Sequence, residues 1–475
     1  MKKSLFILCC ISFLGTAFCQ NSVVVSEQSI HGNTLNSVIK EYRYPSTITC
    51  IFSEDSSSTF IYADQTMQTR EFTVPDLKVN DMVICINGGD GRNDTVFFCG
   101  QRTDTGLATF GFFNINDAFN GTGQVYLHIP FLSGDGVTNV MELTRMVPFS
   151  DGLNSHYACI GINERKFPCI VEEVVGPAPS IWYYRTGTLP YNMETMYDIK
   201  MVYNMMGFFI VTAGMNYELN GNKRYLSLRV YDLSDIFAPS GIQETKYIFC
   251  IDTSFGVEWN KDDVLIRHVK DGFFATVSYL NPKLYNNIVC GSRFITSLNS
   301  VHIGVFKLNN LLSGSVSGMA SSTVFEPLDL SDDNLTWFVN GPEQTFVFQE
   351  KTKIPLSTES SSFSEVTIDG SMNVSSVRRF TTPGDIYCGL DSYNSNNHYV
   401  MSGYEEAHRS ILKYGVERFG TSKTCFKTVP YEYVHYNPYR SVNMTKAFET
   451  TTRRSEFIGI EVETAEVPLT VECQN

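Results

Sequence analysis

The stretch DTVFFCGQRTDTGLATFGFFNINDAF, residues 94–119, decides the fold. Its first apolar run, Val96-Phe97-Phe98-Cys99, ends at Gly100 and gives way to the polar turn QRTDTG. A second apolar run, residues 107–113, closes on Asn116-Asp117-Ala118-Phe119. Two such runs joined by a polar turn read as a β-hairpin, and the closing Asn-Asp pair as an Asx-type turn capped by apolar residues.

Weaker copies of this unit recur along the chain. Phe209-Ile210-Val211-Thr212-Ala213-Gly214 leads, after a polar turn, to a second run over 228–237. Ile288-Val289-Cys290-Gly291 leads in the same way to residues 303–312. With the apolar strand as a marker, units fall near Cys50, Cys99, Cys159, Ala213, Cys290, Phe348 and Cys388. Their spacing of roughly 40 to 80 residues brackets the kelch-like period, with room for loop insertions. Beyond Cys388 the pattern continues less clearly through His398-Tyr399-Val400-Met401, and the chain ends in two strands, residues 457–462 and 467–473.

Turn chemistry separates the runs: Asn87-Gly88-Gly89-Asp90-Gly91, Asn120-Gly121, Asn220-Gly221-Asn222 and Asp369-Gly370 all suit tight or positive-φ turns. Many short strands with regular turns and no domain break point to an all-β fold, a single β-propeller of antiparallel sheet. The marker count gives seven blades, within a range of six to eight. A string of immunoglobulin-like sandwiches would show repeats near a hundred residues, each with its own linker, and the chain has none.

Composition agrees. Aromatic residues make up 13% of the 475 residues, and nothing reads as a long amphipathic helix. The first residues, Met1-Lys2-Lys3, an apolar run over 5–14 and small residues before Gln20, have the pattern of a secretory signal peptide spanning 1–19. Residues 20–475 then form one domain, with 20–44 as an opening strand and connector. The short strand at 22–26 is placed to pair with a C-terminal strand and close a ring. The expected location is exported: periplasmic, attached to the cell surface or secreted, with no transmembrane segment in the mature chain.

The formal net charge is −14, and loss of Lys2 and Lys3 takes it two lower. That argues against nucleic acid as a partner, since phosphate binding needs clustered Lys and Arg. A glycan or an extracellular or periplasmic protein remains. Ten of the thirteen cysteines lie beyond residue 19. Several share one repeat position, which makes them buried small apolar side chains too far apart for disulfides. Cys159 and Cys169, flanking the polar turn at 163–166, are the one pair placed to bridge a hairpin.

The Val96-Phe97-Phe98-Cys99-Gly100 run, its hairpin and the Gly111-Phe112-Phe113-Asn114-Ile115 run resemble exported, propeller-like proteins of gut Bacteroidales. The resemblance implies a fold and a compartment, and no activity.

No catalytic motif is present: there is no HExxH, and Val316 stands where a nucleophile elbow needs serine. The acidic segment holding Asp252, Glu258, Asp262 and Asp263 reads as a solvated loop. Neither a metal site nor a cofactor is expected. Aromatic clusters supply the binding candidates. Trp182, Tyr183, Tyr184 and Arg185 follow the Pro-containing loop at 176–179, and Tyr431 and Tyr433 lie before Pro438. Such rings stack on sugars or anchor a protein partner, although packing between sheets uses the same residues. The chain therefore reads as an exported binding or scaffold protein working through rim loops. The alternative is a polysaccharide-active propeller enzyme, a glycosidase or lyase.

Overall fold

A computed structural model describes residues 23–26, most of 34–186 and, from 192 to 473, the strands. Side chains are described mainly over 38–171 and 458–466. The signal peptide expected at 1–19, Cys388, Tyr431 and Tyr433 lie outside the described residues.

The described chain is all-β and antiparallel, with one short helix. After strand β1 (Val23–Ser26), strands follow in consecutive up-and-down groups of four. The first comprises β2 (Thr34–Glu41), β3 (Thr47–Ser53), β4 (Ser58–Ala63) and β5 (Thr69–Val74). The second comprises β6 (Leu77–Cys85), β7 (Thr95–Arg102), β8 (Ala108–Asn114), helix α1 (Ile115–Phe119) and β9 (Thr122–Pro130). The third comprises β10 (Val140–Ser150), β11 (Ser155–Asn163), β12 (Pro168–Val175) and β13 (Ile181–Thr186). Similar groups begin at Asn192–Asn204, Ala275–Val277 and Phe338–Asn340. The last, beginning at Gly389–Ser392, has three strands of its own and takes β1 as its fourth. There Val25 stands opposite Leu412 of Ser410–Glu417, while on its other side it faces Thr470 of Thr470–Cys473. The pairing expected between the two ends of the chain is present.

The first strands of most successive groups lie side by side. Strand β2 neighbours Gly389–Ser392 and β6, β6 neighbours β10, and β10 neighbours Asn192–Asn204. C-terminal strands add a member to most of these sheets. Tyr439–Ala447 pairs with Gln243–Ile251. The 15-residue strand Glu449–Glu463 runs along β13 and then β9, joining two groups into one nine-stranded sheet. Ala465–Val467 then pairs with β5.

Six of the seven sequence markers (Cys50, Cys99, Cys159, Ala213, Cys290 and Phe348) fall on the second strand of their group. Second strands have a neighbour on each side, so they carry the most continuous apolar runs. The seventh marker misses. Cys388 precedes a first strand, and the equivalent second strand is His398–Glu405.

Alternation along β7 explains why its run is apolar throughout. Val96 and Phe98 join a core with Phe60 and Phe72 of the first group and Phe113 and Phe119 of the second. The rings of Phe60 and Phe113 meet edge to face at 5.0 Å, and those of Phe72 and Phe113 at 5.1 Å. Phe97 and Cys99 point the other way, into a core with Phe110, Tyr157, Cys159 and Val171. Phe97 stacks on Tyr157 at 4.5 Å. A strand covered on both faces has no use for polar alternation.

The expected Asx turn at 116–119 is a short helix that starts one residue sooner. Asn114, rather than Asn116, caps it by accepting the Asp117 N–H at 3.1 Å. Its last carbonyl, that of Phe119, accepts from Arg70 of β5 at 3.2 Å, a cation at a helix C-terminus. Gly123 lets the helix lie flat on β9, because a Cβ there would meet the Ala118 Cα at 2.5 Å.

The cysteines differ from expectation in two ways. Cys159 and Cys169 form no disulfide and stand diagonal, since Cys159 is opposite Val171 and Cys169 opposite Gly161. Cys99 and Cys159 hold equivalent positions in successive groups, yet their thiols hydrogen-bond across facing sheets without a link. Face-to-face sheet packing brings equivalent second strands together. Burial pushes the Cys99 thiol well above its ordinary range, and contact with Cys159 adds to it, so Cys99 is not a ready nucleophile.

Candidate functional site

Two polar clusters stand out among the described residues. The first crosses the first strands of three groups. Asp81 of β6 accepts from the Met146 N–H of β10 at 3.1 Å and pairs with Lys40 of β2 at 3.7 Å. Glu142 of β10 takes the Lys78 ammonium at 2.7 Å and the Asn80 amide at 2.8 Å, both from β6. Asn80 also donates to the Leu143 carbonyl at 2.8 Å, and Arg145 returns a bond to the Asn80 carbonyl at 3.2 Å. The local cause is a break in register between Val79 and Asp81, where β6 gains a residue against β7. That bulge turns Asn80 and Asp81 sideways, toward the neighbouring strands. Acid and base alternate here and satisfy one another, so the cluster fixes the relative height of three strands. Lys40, Lys78 and Glu142 keep between 21 and 30% of their side-chain surface in solvent, so a polar ligand can reach the row.

The second cluster is closed. The Asp94 carboxylate, at the start of the organising stretch, has no exposed surface. It accepts from the Tyr42 hydroxyl at 2.8 Å, from Arg43 Nε at 2.6 Å and from the Asn87 N–H at 2.8 Å. Its backbone carbonyl accepts from Ile115 at 3.0 Å, which ties the helix start to the same point. Arg43 has φ of +44°, a left-handed turn that the ion pair holds in place. Burial alone would raise the Asp94 pKa, but the bonds from Arg43, Tyr42 and Asn87 outweigh it and hold the group below the usual carboxylate range. A folded-state pKa below the unfolded one means Asp94 contributes stability above the unfolded value. That contribution is lost as pH falls through the depressed value. Asp94→Ala should cost on the order of 2 kcal/mol, because the buried Tyr42 hydroxyl loses its acceptor. Urea melts at pH 7 and pH 3 should show the gap between wild type and variant narrowing in acid.

The sequence reading found neither cluster. In the sequence Asp94 only opens an apolar run, and Asp81 and Glu142 sit in strands with no motif. The only local signal was Asn80-Asp81, a polar pair interrupting the apolar positions of β6.

The aromatic candidates fare differently. Trp182, Tyr183, Tyr184 and Arg185 all lie on β13, which is flanked on both sides, by β12 and by the strand Glu449–Glu463. Trp182 shares its row with Glu173 and Arg453, and Tyr183 with Glu172 and Thr452. Tyr184 shares its row with the core residue Val171, and Arg185 with the buried Ile170. Among the described residues, no group of three His, Cys, Asp or Glu side chains is placed to hold a metal ion. No helix among them is long and apolar enough to cross a membrane. No family model matches the chain, and no curated protein matches it.

Proposed function

We propose that this chain is an exported β-propeller of seven blades that binds a glycan or a protein partner through one rim. The observation that carries the reading is the strand order: up-and-down groups of four, most first strands side by side, and β1 completing the last group from the far end of the chain. In such a propeller, radial repetition leaves only short, protected sheet edges. The polar row of Asp81, Glu142, Lys40 and Lys78 lies on first strands, which border the axis in such a ring.

Trp182 is the favoured contact residue. Its row partners, Glu173 and Arg453, are charged, whereas the Tyr184 row begins in the core. Tyr183, Tyr184 and Arg185 follow it on β13, and Tyr431 and Tyr433 form the second candidate set. A glycan array with the purified mature chain, repeated with Trp182→Ala, tests the reading. The variant should lose binding by tenfold or more and melt within a few degrees of wild type. A loss of roughly 3–5 kcal/mol, the range for deleting a buried aromatic, would instead mark Trp182 as a packing residue.

A further inference from the structure

We propose that the outer edge of β9 is a strand-addition site, filled in cis by residues 455–463 and open in trans to the same segment of a second copy. All nine residues from Ser455 to Glu463 pair antiparallel with Pro130 through Thr122. Side-chain burial along the segment is uneven. Ile458 is 47% exposed, and Gly459, Glu461 and Glu463 are exposed as well. Ile460 is half-buried, and Val462 is 4% exposed within the core formed by Ala118, Phe119, Val125 and Leu127. Two residues on, the Thr464 hydroxyl lies against the Ala118 carbonyl and, at 3.0 Å, the Gly121 carbonyl. Those two carbonyls belong to the end of α1 and the turn after it.

The site therefore reads one fully buried apolar side chain, Val462, with Ile460 packed less deeply on the same core, and one hydroxyl two residues after Val462; the rest of the described segment rests on the backbone ladder. Main-chain bonds supply affinity and one or two pockets supply register, the usual division of labour when a strand adds to a sheet edge. The occupant arrives from more than 300 residues away in sequence, and Val462 and Thr464 are the two strongest anchors of its described part. A second copy carries the same segment with the same two anchors, so exchange between copies preserves every contact. Closed pairs formed in this way are domain swaps.

The test uses the full chain carrying Val462→Asp and Thr464→Val, and a fluorescent peptide of residues 453–467 standing for the second copy's segment. Anisotropy should report peptide capture by the double variant at least tenfold tighter than by wild type, whose own segment competes. The same peptide with Val462→Asp should not bind. Equal binding by wild type and variant, or no capture by a variant whose circular dichroism is native, overturns the proposal. Should the variant fail to fold, hydrogen exchange on wild type decides. Amides over 456–463 should exchange at least tenfold faster than those over 96–99 in β7, and equal protection overturns the proposal.

Discussion

Gly100→Ala should leave the chain unable to reach its native fold. In β7 the backbone at Gly100 runs against β6 at the point where the register shifts, opposite Val79. A Cβ there would overlap the Lys78 carbonyl oxygen and sit 2.9 Å from its carbon and 3.1 Å from the Val79 Cα. These are backbone atoms, so no rotamer change relieves the clash, and both strands are pinned by their neighbours. The bulge would have to open, and with it the row that places Asn80 and Asp81. A cost above about 4 kcal/mol belongs to this kind of backbone conflict. Gly121→Ala is the control: nothing lies within 4 Å of its added methyl, and its effect should stay within about 0.5 kcal/mol. Soluble yield and urea midpoints of the two variants check the contrast, and a native-like Gly100→Ala protein would refute the close approach.

Stability should fall steadily as the pH drops below 6.5, and His128 should account for most of that slope. Its imidazole has no exposed surface in β9, where the residue stands between Phe110 of β8 and Phe457 of the C-terminal strand. Burial pushes its pKa down to about 3, since no charge can be solvated there. The sign follows from linkage. Below the unfolded value of about 6.5 the unfolded chain takes up a proton that the folded chain refuses, so acid favours unfolding until the folded group also titrates near 3. The slope is about 1.4 kcal/mol per pH unit, or on the order of 3 kcal/mol between pH 6.5 and 4.5. His128→Gln removes the titration and should flatten that window, whatever its effect at pH 7. Denaturation midpoints at half-unit steps give the answer. Parallel curves for wild type and variant would show that His128 is protonated in the native state.

The strands themselves were legible before any coordinates. The run Val96-Phe97-Phe98-Cys99 is apolar through every position and 107–113 is interrupted by one polar residue, Thr109, and strands buried on both faces need nothing else to announce them. The second-strand markers worked for the same reason, and failed at Cys388 because the apolar character of the last group lies on His398–Glu405 instead. The Asp94 cluster was not legible. Its partners are Tyr42 and Arg43, some fifty residues away, and no local pattern joins a turn after β2 to the start of β7.

Sequence alone determined that this protein is built of short antiparallel strands joined by Gly- and Asn-rich turns, because alternation and turn propensity act over a few residues. Tertiary structure decided which faces meet, as with Cys99 and Cys159 in contact across two sheets. It also decided which strand neighbours which: β1 beside Thr470–Cys473, and Glu449–Glu463 joining β13 to β9. Those choices rest on packing and ladder bonds between segments hundreds of residues apart, and such contacts leave no periodic trace in either partner.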